Sequence, residues 1–298
     1  MVGSDGSLLA SYGDIDRPFY MRSSAKPFQA TVTQEAGSGL DMLELAMACA
    51  SHRGFPVHIS LVESILARAG LDESQLRCPY DWPAHVAAER LLVGAGATAP
   101  RRIWHNCSGK HAGFLRACLA QGWPLDSYLS PDHPLQRSVV ELASDLGEFD
   151  VRPVGVDGCG APVLRTTARA MALMFARLAT EDRFAPVYAA MHRYPSLIGA
   201  NGEGDTEIAI ALDAVAKGGA AGCVGVALGG RLGLAAKSWD GSSIVANLAA
   251  VSALRQLGAL SPTADLSLDA VSSPAVLGGG EPVGRVEPRF ELSGHDDA

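Results

Sequence analysis

Charge is scarce in this chain. Asp, Glu, Lys and Arg make up only 19% of its 298 residues, 48% are hydrophobic, and mean hydropathy is +0.14. That balance excludes intrinsic disorder, which requires low hydrophobicity and high charge. A chain of this length supports a core without a disulfide or metal staple. Basic residues are the scarcer sign: 24 Lys+Arg against 32 Asp+Glu leave a net charge of −8, which argues against a nucleic-acid partner bound through a broad basic face. No uncharged apolar run reaches the ~18 residues of a spanning helix. The candidates around Gly218–Gly230 and Gly241–Leu254 are too short and too rich in Gly, Ala or Ser, so no membrane partner is expected. The start, Met1-Val2-Gly3-Ser4-Asp5-Gly6, has no basic region leading into an apolar stretch and reads as no signal peptide. Six scattered cysteines (Cys49, Cys78, Cys107, Cys118, Cys159, Cys223) then read as reduced thiols or metal ligands, not as a disulfide framework. A soluble cytoplasmic protein is the expectation.

Repeats, low-complexity segments and strong linkers are also missing, so residues 1–298 are read as one structural unit. Leu8–Tyr12, after the Asp5-Gly6 turn, reads as a short strand. Ile59, Val62, Ile65, Leu66 and Ala69 have helical spacing, stopped by Gly70. Leu135, Val139, Leu142 and Leu146 repeat it between Pro134 and Gly147. Arg165–Leu178 and Thr206–Ala216 are further helix candidates, the second ended by Gly218. The period then changes: Cys223–Leu228 and Leu232–Lys237 read as strands about the Gly229-Gly230 turn. A helix starts again at Ile244, and Val283–Leu292 reads as an edge strand, where Pro288 is tolerated. Strands at both ends enclosing a helical middle predict an α+β fold, an antiparallel sheet with a helical lobe.

Five segments carry reactive side chains. In Arg22-Ser23-Ser24-Ala25-Lys26-Pro27-Phe28, Ser23 and Lys26 stand three apart and share a helix face. A neutral lysine can activate a serine, but bringing its pKa from ~10.4 to ~7 costs about 4–5 kcal/mol. Desolvation or a second cation must supply that. Pro27 biases Lys26 away from the helical region, and Ser24 is a substitute nucleophile with poorer spacing. Taken alone, Ser-x-x-Lys also occurs on solvated helix faces. Ala50-Ser51-His52-Arg53-Gly54 suits a loop with exposed polar atoms; the blander reading is Ser51 as a helix cap. His105-Asn106-Cys107-Ser108-Gly109-Lys110-His111 precedes a helix, whose start lowers a thiol pKa and makes Cys107 a nucleophile or metal ligand. Gly155-Val156-Asp157-Gly158-Cys159-Gly160-Ala161-Pro162 is a tight turn presenting a carboxylate and a thiol. With Cys107 it can build a thiolate-rich Zn²⁺ site, or its cysteine simply packs inward. Finally, Lys237-Ser238 ends a strand. If Lys237 faces the same pocket as Lys26, each ammonium disfavours protonation of the other; otherwise it is a solvated strand-end lysine.

Together these blocks resemble the rhizobial-type L-asparaginase II family. The carrying residues are Arg22–Ala30, Ala50-Ser51-His52, His105–Leu115 and Val156–Pro162. The resemblance implies a serine β-lactamase-like fold, a homodimer, and hydrolysis of L-asparagine to L-aspartate and ammonia. It implies a catalytic pair at Ser23 and Lys26, a second pair at Ser51 and Lys237, and substrate contacts from Arg22, His52, Asp157 and Gly158. It further implies Zn²⁺ held by Cys107, Lys110 and Cys159. The family begins with a strand ahead of the Asp-Gly turn that this chain is expected to lack, and Phe55 stands where an acidic residue is common. Two other readings compete: a cysteine hydrolase using Cys107 and His111, and a catalytically weak metal- or amino-acid-binding homologue.

Overall fold

A computed structural model describes residues 1–230 and 232–294. Its largest sheet has four antiparallel strands: β1 (Val2–Gly3), β2 (Val215–Gly219), β3 (Cys223–Leu228) and β4 (Leu232–Lys237), in the order β1-β4-β3-β2. Val226 opposes Leu234 across β3–β4, and Lys217 opposes Gly225 across β2–β3. Every β3 residue is buried, so the sheet is covered on both faces. Alternate residues divide between two cores: Cys223 and Ala227 join the main cluster with Phe175, whereas Val224, Val226 and Leu228 join Ala246, Ala250 and Val251.

The α-helices among the described residues are α1 (Lys26–Glu35), α2 (Met42–Cys49), α3 (Pro56–Ala67), α4 (Val86–Gly94), α5 (Ser108–Gln121), α6 (Pro134–Gly147), α7 (Ala168–Leu178), α8 (Ala185–Arg193), α9 (Pro195–Ile198), α10 (Gly204–Leu212), α11 (Ser243–Gln256), α12 (Pro262–Ser267) and α13 (Asp269–Ser272). Helix α7 lies on one sheet face and α11 on the other. The expected α+β class is what the chain adopts, and no helix among the described residues is long and apolar enough to cross a membrane.

Close approach of α7 depends on absent side chains. A Cβ on Gly233 would run into the Ala172 carbonyl oxygen and the Ala176 nitrogen, both backbone atoms of α7. Backbone cannot rotate out of the way as a side chain can. Gly233→Ala is therefore expected to destabilise the fold by about 1–3 kcal/mol, read as a lower midpoint in urea denaturation at unchanged slope. A midpoint equal to wild type would show that the helix stands off the sheet.

Several boundaries differ from the sequence expectation, each for a physical reason. The helix expected over Thr206–Ala216 stops at Leu212, because Asp213 turns left-handed with φ 50°, and Val215–Gly219 becomes β2. The helix expected from Arg165 starts at Ala168, since Thr167 caps it by accepting the Ala170 N–H. The strand expected over Leu8–Tyr12 is reduced to Ala10–Ser11, paired with Ser293–Gly294. Instead of Val283–Leu292 as an edge of the sheet, Ala275–Gly278 and Glu281–Arg285 form a separate exposed hairpin. At the start, Val2–Gly3 pairs with Gly233 and Leu232, so the edge beside β4 holds a short first strand.

Two junctions place the reactive segments. The Asp41/Glu44 capping box fixes the start of α2, and the chain leaves its end extended at Ala50, with ψ 146°. Gly109 lets the first turn of α5 settle on that end, since a Cβ there would strike the Met47 carbonyl. The segments after Cys49 and before Ser108 are thereby brought side by side.

Candidate active site

Lys26 opens α1 and is buried to 1% exposure. Its Nζ lies 2.5 Å from the Ala50 carbonyl oxygen, 3.0 Å from Ser51 Oγ and 3.5 Å from the Asn106 carbonyl oxygen. Burial lowers its pKa to about 8, and the ammonium groups of Lys217 and Lys110 push in the same direction, against the Cys107 and Cys159 sulfurs. As an ammonium it donates to all three oxygens. A neutral amine donates to the two carbonyls and turns its lone pair to the Ser51 hydroxyl.

Ser51 is thus no helix cap. It follows Ala50, its N–H donates to the Ile198 carbonyl at 2.8 Å, and its side chain meets Lys26. Ser23 sits in a 3-10 turn, Arg22–Ala25, where its carbonyl accepts the Lys26 N–H. Its partly buried hydroxyl makes no hydrogen bond among the described residues. The turn is strained: Arg22 has φ 49°, a left-handed conformation costly for a residue with a Cβ. Ser24, the substitute nucleophile, is fully buried and its hydroxyl is held by the Met21 carbonyl, which removes it from contention.

The structure does not bring Lys237 to Ser51. Its ammonium binds the carbonyl oxygens of Ala221 and Ser238 and lies 4.9 Å from the Trp239 ring centroid. The sequence reading missed Lys217, which occupies β2 just beyond the expected helix Thr206–Ala216. Lys217 is 1% exposed, with Nζ 2.9 Å from the Gly218 carbonyl oxygen and 3.5 Å from Asp205 Oδ2. A lysine inside Val215–Gly219, between small and apolar residues, is the signal that could have found it once the segment is read with period two.

Arg22, Asp157 and Gly158 do converge. Arg22 Nε stands 2.6 Å from Asp157 Oδ1, which also accepts the Gly158 N–H at 2.8 Å. His52 has a different place. It is fully buried and burial holds its pKa far down, so the ring is neutral. Its Nδ1 accepts from the Gly54 N–H, so Nε2 carries the proton and donates to Ser108 Oγ at 2.8 Å. Ser108 passes the chain on to the Ile103 carbonyl at 2.8 Å. His52 therefore ties the Ser51 segment to the start of α5 and is spent in doing so.

Cys107, Lys110 and Cys159 also meet. Lys110 Nζ is 3.1 Å from Cys159 Sγ, and all three residues are buried. The Cys159 thiol is lowered far below its ordinary value by the hydrogen bond from Cys107, by the Lys110 ammonium and by His111; the Cys107 thiol is raised correspondingly. Burial disfavours the Lys110 charge, but the Cys159 and Cys107 sulfurs reverse that and raise it. The 3.1 Å contact and both directions favour a thiolate–ammonium pair between Cys159 and Lys110. Among the described residues no cluster of three His, Cys, Asp or Glu side chains is arranged around a metal position, so a metal here needs Lys110 as a ligand. Cys107 and His111 form no nucleophile–base pair: His111 Nδ1 is engaged by the Tyr128 hydroxyl at 2.8 Å, while the Cys107 sulfur faces Cys159 and lies 3.3 Å from Asn106 Oδ1.

Compared with known proteins, residues 1–288 match the model of one family, described as L-asparaginase II. No curated protein sequence matches the chain.

Proposed function

The chain belongs to the L-asparaginase II family and is an amidohydrolase acting on a small molecule; from that premise we propose that it hydrolyses L-asparagine to L-aspartate and ammonia through a serine–lysine site. The observation that carries the reading is the buried Lys26 amine 3.0 Å from Ser51 Oγ. Ser23 is the attacking hydroxyl: it is uncommitted, and the strained turn at Arg22 presents it three residues before the base. As its oxygen bonds to the side-chain amide carbon, its proton passes to Ser51 Oγ, and the Ser51 proton passes to Lys26 Nζ. The charged lysine returns a proton along the same path to the amide nitrogen, and ammonia leaves a Ser23 ester. Water then repeats the cycle and releases aspartate. Arg22, held by Asp157, and the Gly158 turn bound the substrate's side.

The donor set of Cys107, Lys110 and Cys159 fits a thiophilic cation such as Zn²⁺: two sulfurs and a nitrogen, buried together. Binding requires loss of the Lys110 proton, which the metal favours. Held by these three residues, such an ion would supply a Lewis acid for the substrate's carboxylate or amine. Metal analysis of the purified protein is expected to find about one Zn²⁺ per chain, against little in Cys159→Ala. Equal content in both would remove Cys159 from the site.

The reading is tested by ammonia release from asparagine, glutamine and a β-lactam side by side, with asparagine the expected substrate; release from none would end it. The pH profile tests Lys26. Its folded pKa of about 8 lies below the ordinary 10.5, and only the neutral amine accepts a proton. kcat/KM is therefore expected to rise about tenfold per pH unit up to about 8 and level off above it. Stability changes in the same sense: between pH 8 and 10.5 the unfolded lysine binds the proton that the folded one has lost, so stability rises with pH there. An activity profile flat from pH 6 to 9 would exclude Lys26 as the base.

A further inference from the structure

A cavity of about 620 Å³ opens among residues from the first turns of α2 and α3, the cap of α4, and the chain from the end of α8 through α9. Small-molecule sites have volumes of roughly 300–1,000 Å³. None of Ser23, Lys26, Ser51 or Cys159 lines it, so it is distinct from the reaction centre. Its walls nevertheless touch that centre's supports. His58 stacks on His52 with ring centroids 5.5 Å apart, and Ile198, the residue after Leu197 of the wall, accepts the Ser51 N–H.

The open polar groups of the wall are donors. His58 is 3% exposed, and its Nδ1 accepts the Phe55 N–H at 3.1 Å, so Nε2 carries the proton. His85 is fixed the same way, its Nδ1 accepting the Ala87 N–H at 3.1 Å as it caps α4. Neither Nε2–H makes a hydrogen bond among the described residues. The Arg193 guanidinium likewise has no hydrogen bond or ion pair among them. Asn201 Oδ1 is taken by the Ser196 hydroxyl at 2.6 Å, which leaves its amide N–H groups open. Burial and the Arg53 charge lower the His58 pKa to about 4, so at neutral pH that ring is an uncharged donor. Among the described residues no Asp or Glu lines the cavity, and Arg193 is its one fixed cation.

The rest of the wall is apolar and ring-rich. The Phe55 ring centroid lies 6.0 Å from that of His58 and 5.0 Å from that of His85, and Leu43, Tyr194 and Leu197 continue the surface. We propose that this cavity binds an aromatic carboxylate, with its anion on Arg193 and the neighbouring N–H groups and its ring against Phe55. One fixed cation matches a monoanion, and charge-assisted hydrogen bonds to it are the strong ones. The ring wall adds aromatic contact, of which a bare inorganic anion makes no use. The inference does not depend on the hydrolase reading.

Calorimetric titration of the full chain with 2-naphthoate, its neutral amide and inorganic phosphate tests this. Wild type is expected to bind 2-naphthoate at least about tenfold more tightly than either of the others. Arg193 is exposed, so Arg193→Gln should leave the fold intact. It should weaken 2-naphthoate by about tenfold and leave the amide unchanged, and Arg193→Lys should recover part of the loss. Phe55→Glu, which sets a carboxylate in the wall, should weaken 2-naphthoate by at least about tenfold. The proposal is overturned if 2-naphthoate shows no preference over its amide, if phosphate binds as tightly, or if Arg193→Gln binds it like wild type. Displacement of 2-naphthoate by L-aspartate would put it in the reaction centre and overturn the proposal as well.

Discussion

Ser23→Ala is expected to reduce ammonia release from asparagine by at least about 10⁴-fold while leaving the fold intact. The side chain is partly exposed and makes no hydrogen bond among the described residues, so its removal should shift stability by no more than about 0.5 kcal/mol. Deletion of a nucleophile removes the covalent path, and only binding and oxyanion stabilisation remain. Lys26→Met should come close to the same loss, because without the amine neither serine has a base. The two variants differ in how they fail. A protein with Ser23 intact but Lys26 absent still has an oxygen to acylate, slowly; Ser23→Ala has none. Rapid quenching and intact-mass measurement with asparagine should show a small fraction of acyl adduct in the lysine variant and none in the serine variant. Wild-type turnover by Ser23→Ala, with loss in Ser51→Ala, would move the acyl group to Ser51 and leave the lysine contact standing.

This distinction follows from what the chain does and does not disclose in its linear order. Ser23 and Lys26 are legible because three-residue spacing is a local property. The approach of Lys26 to Ser51 is not: it depends on α2 ending at Cys49, on the extended exit at Ala50, and on Gly109 letting α5 close against Met47. None of those has a spacing signature. The hairpin of β3 and β4 was legible from Gly229-Gly230 and the flanking apolar runs, and both strands have the expected bounds. Its neighbour β2 was hidden, since Val215–Gly219 follows a helix-like run with only the left-handed Asp213 to mark the change. Lys217 follows the expected helix Thr206–Ala216 directly and carried no motif; within the buried strand it places a second ammonium where it bears on Lys26. Lys237 ends strand β4 and keeps its charge partly in water beside Trp239.

The buried thiolate–ammonium pair predicts a large effect of another kind. Lys110→Met, measured on protein freed of metal by a chelator, is expected to lower unfolding free energy by about 3–5 kcal/mol, because removing one partner leaves a buried charge uncompensated. Lys110 is 3% exposed and Cys159 2%, so water cannot replace the missing ammonium without opening the junction between α5 and the Asp157–Gly160 turn. Cys159 then takes up a proton, and the free energy lost is that of making a neutral thiol where the surroundings are built for an anion. Removing the sulfur as well should recover much of the loss: in Lys110→Met with Cys159→Ala no charge is left to compensate, and only a small cavity remains, worth about 1–2 kcal/mol. Non-additivity is the diagnostic. If the double variant is less stable than the single by the ordinary cost of a buried cysteine, the two side chains do not form an ion pair. Lys110 would then have to be neutral in the folded chain, the form in which it binds a metal.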